Sequence, residues 1–195
     1  MGDAGSGVEL LTAAQTGDIA KLRRLLAAGA SPDTVDEAGK PALTVAIEAG
    51  QGEAVSVLLD AGASLDSPPG VEPILLTAIR SGDETLALDL LHRGAPANAA
   101  DGGDSPLVAA IGDGDTELAA ALLAAGADVN ASDGNGDTPL VSAVNSGDAQ
   151  LVAALLARGA RPGAAGGDGQ TPLQIALDAG DARIVDLLRR AGAGE

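Results

Sequence analysis

The side chains this chain offers for chemistry are 28 carboxylates and a single histidine, with no cysteine at all. Carboxylates do general acid–base work when their surroundings pull their pKa values apart. Alternating oxygens on a loop hold calcium. A histidine beside a serine and an aspartate can drive acyl transfer. His92 follows Leu90-Leu91 at the end of a helical stretch, where a partly positive ring suits the helix dipole, and it reads as a surface residue. One histidine and no cysteine exclude multi-histidine and cysteine zinc sites in one chain. Asp133-Gly134-Asn135-Gly136-Asp137 alternates its oxygens like a calcium loop. However, Thr138 stands where that loop needs glycine, and Val144 where it needs glutamate. It reads as a hairpin tip. Gly166-Gly167-Asp168-Gly169 lacks a strand–helix phosphate context, and Gly39-Lys40 runs into Pro41, so neither is a phosphate loop. Asp113 and Asp178 are the candidates for a carboxylate enzyme, but no nucleophile or base is placed beside them. The sequence thus assigns no catalytic residue, no cofactor and no metal. A carboxylate-based enzyme or a divalent-cation binder is the alternative to a non-catalytic protein.

The elements that position these carboxylates are set by two glycine series. Gly-Ala pairs begin at Gly29, Gly62, Gly94, Gly126, Gly159 and Gly192, spaced 33, 32, 32, 33 and 33. Gly17, Gly50, Gly82, Gly114, Gly147 and Gly180 precede them, each by 12 residues. A period of about 33 with two short helices per period is the signature of a solenoid. The expected fold is all-α: six stacked helix–turn–helix units with short hairpin-like loops. Residues 1–7 read as a flexible leader. Residues 8–195 read as one domain with units at about 8–30, 31–63, 64–95, 96–127, 128–160 and 161–193.

Each first helix reads Leu, then Ala three residues on, then usually Ile, Val or Leu, which places all three on one face. Unit 6 supplies Leu173, Ala176 and Leu177. The mid-unit glycine ends that helix, and Asp18, Asp83, Asp115, Asp148 or Asp181 caps the next. Ser105-Pro106, Thr138-Pro139 and Thr171-Pro172 each pair a capping residue with proline at the first helical position. Lys21 and Arg24 in the first unit, and Arg189 in the last, replace apolar residues of the interior units and read as end caps.

These motifs resemble the ankyrin repeat family: the Thr-Pro-Leu starts at 138–140 and 171–173, Ser105-Pro106-Leu107, the Leu-Leu-x-x-Gly-Ala endings, and Gly126-Ala127-Asp128-Val129-Asn130-Ala131. The resemblance spans nearly all of residues 8–193. The family's histidine after Thr-Pro-Leu is absent; Leu11, Thr44, Leu76, Val108, Val141 and Gln174 stand there. Its hydrogen bonds between loops are therefore expected to be lost. Pro68-Pro69 makes the third loop irregular, so no regular hairpin is expected there.

The resemblance implies a protein–protein interaction module, an adaptor, scaffold or inhibitor. Its partner contacts would come from the hairpin tips and the ends of the first helices on the concave face. Those positions hold Asp36, Glu37, Glu48, Glu72, Arg80, Asp101, Asp104, Asp113, Asp133, Asn135, Asp137, Asn145, Asp168, Gln170 and Asp178. Net charge is −17, which argues against nucleic acid and anionic membranes and for a partner with a basic contact surface. No apolar run reaches membrane-spanning length and no signal peptide opens the chain, so a cytoplasmic setting is expected, and the chain is read as a monomer.

Overall fold

The computed structural model describes residues 4–98 and 104–194. Those residues form twelve helices: α1 (Ala4–Thr16), α2 (Ile19–Ala27), α3 (Ala42–Glu48), α4 (Gly52–Asp60), α5 (Ile74–Arg80), α6 (Glu84–His92), α7 (Pro106–Gly112), α8 (Thr116–Ala124), α9 (Pro139–Asn145), α10 (Ala149–Ala157), α11 (Pro172–Asp178) and α12 (Ala182–Arg190). No named strand occurs among the described residues; Val35 and Pro41 make one isolated antiparallel bridge.

Glycine sets the punctuation. Gly147 (φ 72°) closes α9 and Gly159 (φ 91°) follows α10, both in the left-handed region open to a residue without Cβ. The aspartate after each mid-unit glycine caps the second helix as expected. Asp148 Oδ1, for example, accepts from the backbone N–H groups of Gln150 and Leu151 at 2.9 and 3.0 Å. Gln51, the exception, makes no side-chain cap bond. Thr171 and Gln174 form a reciprocal capping box on α11.

Where the sequence reading draws one domain, the chain falls into two compact units, residues 1–96 and 97–195. An architecture grown by adding like repeats divides naturally at a repeat boundary. In the first unit α1 packs on α2 and α3, and α3 on α4 and α5. In the second α9 packs on α7, α10 and α11. Each unit therefore holds three helix–turn–helix repeats. The core is the expected stripe: Leu10, Leu43, Leu75, Leu107, Leu140 and Leu173 are buried, as are Ala13, Ala46, Ala78, Ala110, Ala143 and Ala176. The small alanines let paired helices approach.

Two expectations need correction. α1 begins at Ala4, so residues 4–7 belong to the first helix and not to a leader; once the apolar turn around Leu10 is formed, helical bonds propagate back toward the chain start. Met1 to Asp3 lie outside the described residues. Leu177, placed in the core by the repeat pattern, is 48% exposed, whereas its equivalents Ile47, Ile79, Ile111 and Val144 are 3–5% exposed. Ile47, Ile111 and Val144 lie on α3, α7 and α9, each packed against the first helix of the next repeat in its own unit, and no described helix covers Leu177.

Candidate functional site

The tips of three loops are tight hairpins closed by backbone bonds. Asp36 N–H donates to Lys40 O, Asp133 N–H to Asp137 O, and Gly166 N–H to Gln170 O, at 2.9–3.0 Å. Their carboxylates hold the turns from inside. Asp36 Oδ1 accepts from Ala38 and Lys40 N–H, and Asp133 Oδ1 from Asn135 and Asp137 N–H, all at 2.9 Å. Asp168 Oδ1 accepts from Gln170 N–H at 2.8 Å. The Pro68-Pro69 loop is different, as expected: Val71 N–H donates to Pro68 O, and Ser67 Oγ accepts from Ile74 N–H. Asp101 lies outside the described residues.

The loops are also bonded to each other, against the expectation drawn from the missing histidine. Asn98 accepts from Asp128 N–H at 2.7 Å and donates to Gly126 O at 3.1 Å. Asn130 does the same one repeat on, accepting from Arg161 N–H and donating to Gly159 O. Asp104 accepts from Gly134 N–H, and Asp137 from Gly167 N–H at 3.0 Å. In the first unit Asp33 accepts from Ser64 N–H at 2.7 Å. Carboxylates and amides at the tips replace the absent imidazoles as connectors. The signal was available in the sequence, since Asp33, Asn98 and Asn130 recur at the repeat period.

Charge on this surface is arranged differently in the two units. In the first, a tip charge meets the last turn of the following helix eight residues on, and the sign swaps between repeats. Lys40 Nζ lies 2.7 Å from Glu48 Oε2, and Glu72 pairs with Arg80. The Glu48 carboxylate holds the Lys40 ammonium above the usual lysine range. Glu72 also accepts from Thr77 Oγ1 at 3.2 Å. In the second unit the same spacing joins Asp104 to Gly112, Asp137 to Asn145 and Gln170 to Asp178, with no base in any pair. Glu37, Asn135 and Gln170 are exposed at tips; Asp113, Asn145 and Asp178 are exposed at helix ends. Asp113 caps the C-terminus of α7, and Glu48 and Asp178 are the last residues of α3 and α11. A carboxylate there faces the negative end of the helix dipole, a cost that Glu48 offsets through its Lys40 pair.

Among the described residues the candidate acids are not brought together. Asp113 and Asp178 belong to helices separated by α9 and are both exposed. His92 is exposed in the last turn of α6. No group of three or more metal-ligating side chains is assembled, and no helix is long and apolar enough to cross a membrane, among the described residues.

The model of the family described as ankyrin repeats (3 copies) matches residues 10–101, 75–166 and 107–194. Among solved structures, the chain is similar to an ankyrin repeat domain from Acinetobacter baumannii, at 34% identity and TM-score 0.79 over 95% of this chain and 98% of that one. It is similar to the human ASB11 ankyrin repeat domain, at 28% identity and TM-score 0.67 over 95% and 84%. A third similar chain is from a structure of a predatory endopeptidase from Bdellovibrio bacteriovorus in complex with an immunity protein, at 26% identity and TM-score 0.70 over 93% and 97%. No curated protein matches the chain.

Proposed function

The chain belongs to the ankyrin repeat family, and we propose that it is a non-catalytic protein-binding module whose partner presents a basic surface to the hairpin tips and first-helix ends. One observation carries the reading. Asp113 and Asp178 place carboxylates at helix C-terminal ends, where stability alone would favour cations. The absence of Phe, Trp and Tyr gives the reading its shape. Interfaces draw most of their energy from aromatic and arginine anchors. This surface offers charge, backbone and small aliphatic area, so the anchors come from the partner. The similar chain from an endopeptidase–immunity protein structure supports protein binding as a use of this fold. A monomer working as adaptor, scaffold or inhibitor fits the reading.

The test is affinity capture from a native lysate of the source organism on the wild-type chain and on Asp113→Lys/Asp178→Lys, with low- and high-salt elution. A protein retained by the wild type, lost on the double variant and eluted by salt supports the module. Capture that is equal on both chains, or insensitive to salt, contradicts it.

A further inference from the structure

A hollow of about 420 Å³ opens in the first unit between the end of α1, the end of α3 and the 36–40 hairpin; Gln15, Asp36, Lys40, Val45, Glu48 and Ala49 line it. We propose that this hollow seats an arginine side chain of the partner protein, an inference that rests on the binding reading above and names one contact within it.

The lining is arranged for such a group. Val45 and Ala49 offer an apolar wall, which suits the methylene stem of a long cationic side chain. Asp36 spends Oδ1 on the N–H groups of Ala38 and Lys40, leaving Oδ2 for an outside donor. The Gln15 amide is exposed and brings a second acceptor. Two carboxylates against one ammonium leave the lining with an excess of negative charge. The chain's own Lys40 already shows which charge the site takes: its ammonium is bound by both oxygens of Glu48, at 2.8 and 2.7 Å. Lys40 is therefore a built-in competitor. An incoming carboxylate would face Asp36 and Glu48, with the only ammonium already engaged. An incoming lysine brings one point charge on a stem, whereas a guanidinium brings five donors in a planar fork. The fork would offer donors to Asp36, Gln15 and Glu48, the three acceptors in the lining.

The test uses the full-length ¹⁵N-labelled chain titrated with acetyl-Gly-Arg-Gly-amide, and with the lysine and glutamate versions of the same peptide. The proposal expects saturable shifts from the arginine peptide at the amides of Gln15, Asp36, Glu48 and Ala49, tighter than with lysine and absent with glutamate. Lys40→Met removes the competitor and should tighten arginine binding about twofold to fivefold, the range an exposed ion pair converts to. Glu48→Gln should weaken it by a similar factor, with only a slight fall in melting temperature from the lost Lys40 pair. Equal binding of the arginine and lysine peptides would overturn the proposal. So would shifts scattered over the acids of the second unit, or an unaltered affinity in Lys40→Met. If a captured partner still binds salt-sensitively through Asp113 and Asp178 while the hollow stays silent, the arginine seat is wrong and the module reading stands.

Discussion

The two units use the same backbone repeat and spend their carboxylates in opposite ways. At the hairpin tips and first-helix ends of residues 1–96, Asp36, Glu37, Glu48 and Glu72 share the surface with Lys40 and Arg80, and two of the acids are neutralised by those bases. At the same positions of residues 97–195 the sequence places Asp113, Asp133, Asp137, Asp168 and Asp178 and neither lysine nor arginine. The loops differ in parallel. Asp33 makes one bond to the next loop, because a carboxylate only accepts; Asn98 and Asn130 make two each, because an amide also donates. Local ion pairing lowers the net charge of the first unit's surface without removing it. In the second unit hairpin lacing holds Asp137 against a backbone N–H of the next loop.

The sharpest way to break this comparison is at the hairpins. A Cβ built on Gly167 would overlap the Asn135 carbonyl oxygen of the neighbouring tip. The equivalent place in the 36–40 hairpin is Glu37, which is exposed. Gly167→Ala should therefore cost about 1–3 kcal/mol as the two tips separate, and Glu37→Ala should fall within about 0.5 kcal/mol of zero. Chemical denaturation of both variants checks the pair; equal costs would mean that the second unit's tips are not closely docked.

Asn130→Asp converts a second-unit connector into the first-unit kind. It keeps the bond from Arg161 N–H and loses the one to Gly159 O, and should cost about 0.5–1.5 kcal/mol. Asn130→Ala, which removes both bonds, should speed hydrogen exchange at the Arg161 amide. Exchange unchanged from wild type would remove the asparagine from the lacing.

In the first unit Thr44 Oγ1 is buried with no hydrogen-bond partner, whereas its counterparts Val108 and Val141 in the second unit are buried valines. Thr44→Val removes an orphan hydroxyl at nearly constant shape and should stabilise the chain by about 1 kcal/mol. A lower melting temperature in that variant would show that the hydroxyl finds a partner.

The smallest effect concerns the Lys40–Glu48 pair. Its folded-state pKa is raised, so its contribution is complete below the ordinary lysine value of about 10.5 and is lost as pH rises through the folded value. Glu48→Gln should melt slightly below wild type at neutral pH, and the two curves should converge at alkaline pH. A gap that persists there would assign the difference to something other than the ion pair.

Much of this molecule was legible in the sequence. The glycine series, the aspartate caps and the Leu-Ala stripe report local backbone and burial needs, and local needs repeat with the period. The places that escaped reading depend on neighbours. Leu177 carries the same local signal as Val144, and only the absence of a covering helix among the described residues separates them. Asp104 and Asp137 read as exposed binding acids, but the stacking of one hairpin on the next turns each toward a backbone N–H. The lost histidine suggested loose loops because the compensating asparagines act 28 to 31 residues away in the chain. The basic partner and the cytoplasmic setting remain readings of charge and composition.

The most direct test of the account is the association rate of a captured partner, measured by stopped flow at low and at high salt. Three chains are compared: the wild type, Asp113→Lys/Asp178→Lys in the second unit, and Lys40→Glu/Glu48→Lys, which inverts a neutralised pair in the first. Exposed charges steer association and are screened beyond about 8 Å at physiological ionic strength. The account predicts that the second-unit variant associates more slowly at low salt, that the difference closes at high salt, and that the inverted pair leaves the low-salt rate near wild type. A low-salt rate unchanged by Asp113→Lys/Asp178→Lys would contradict it, and would reduce the acids of the second unit to solubilising charge.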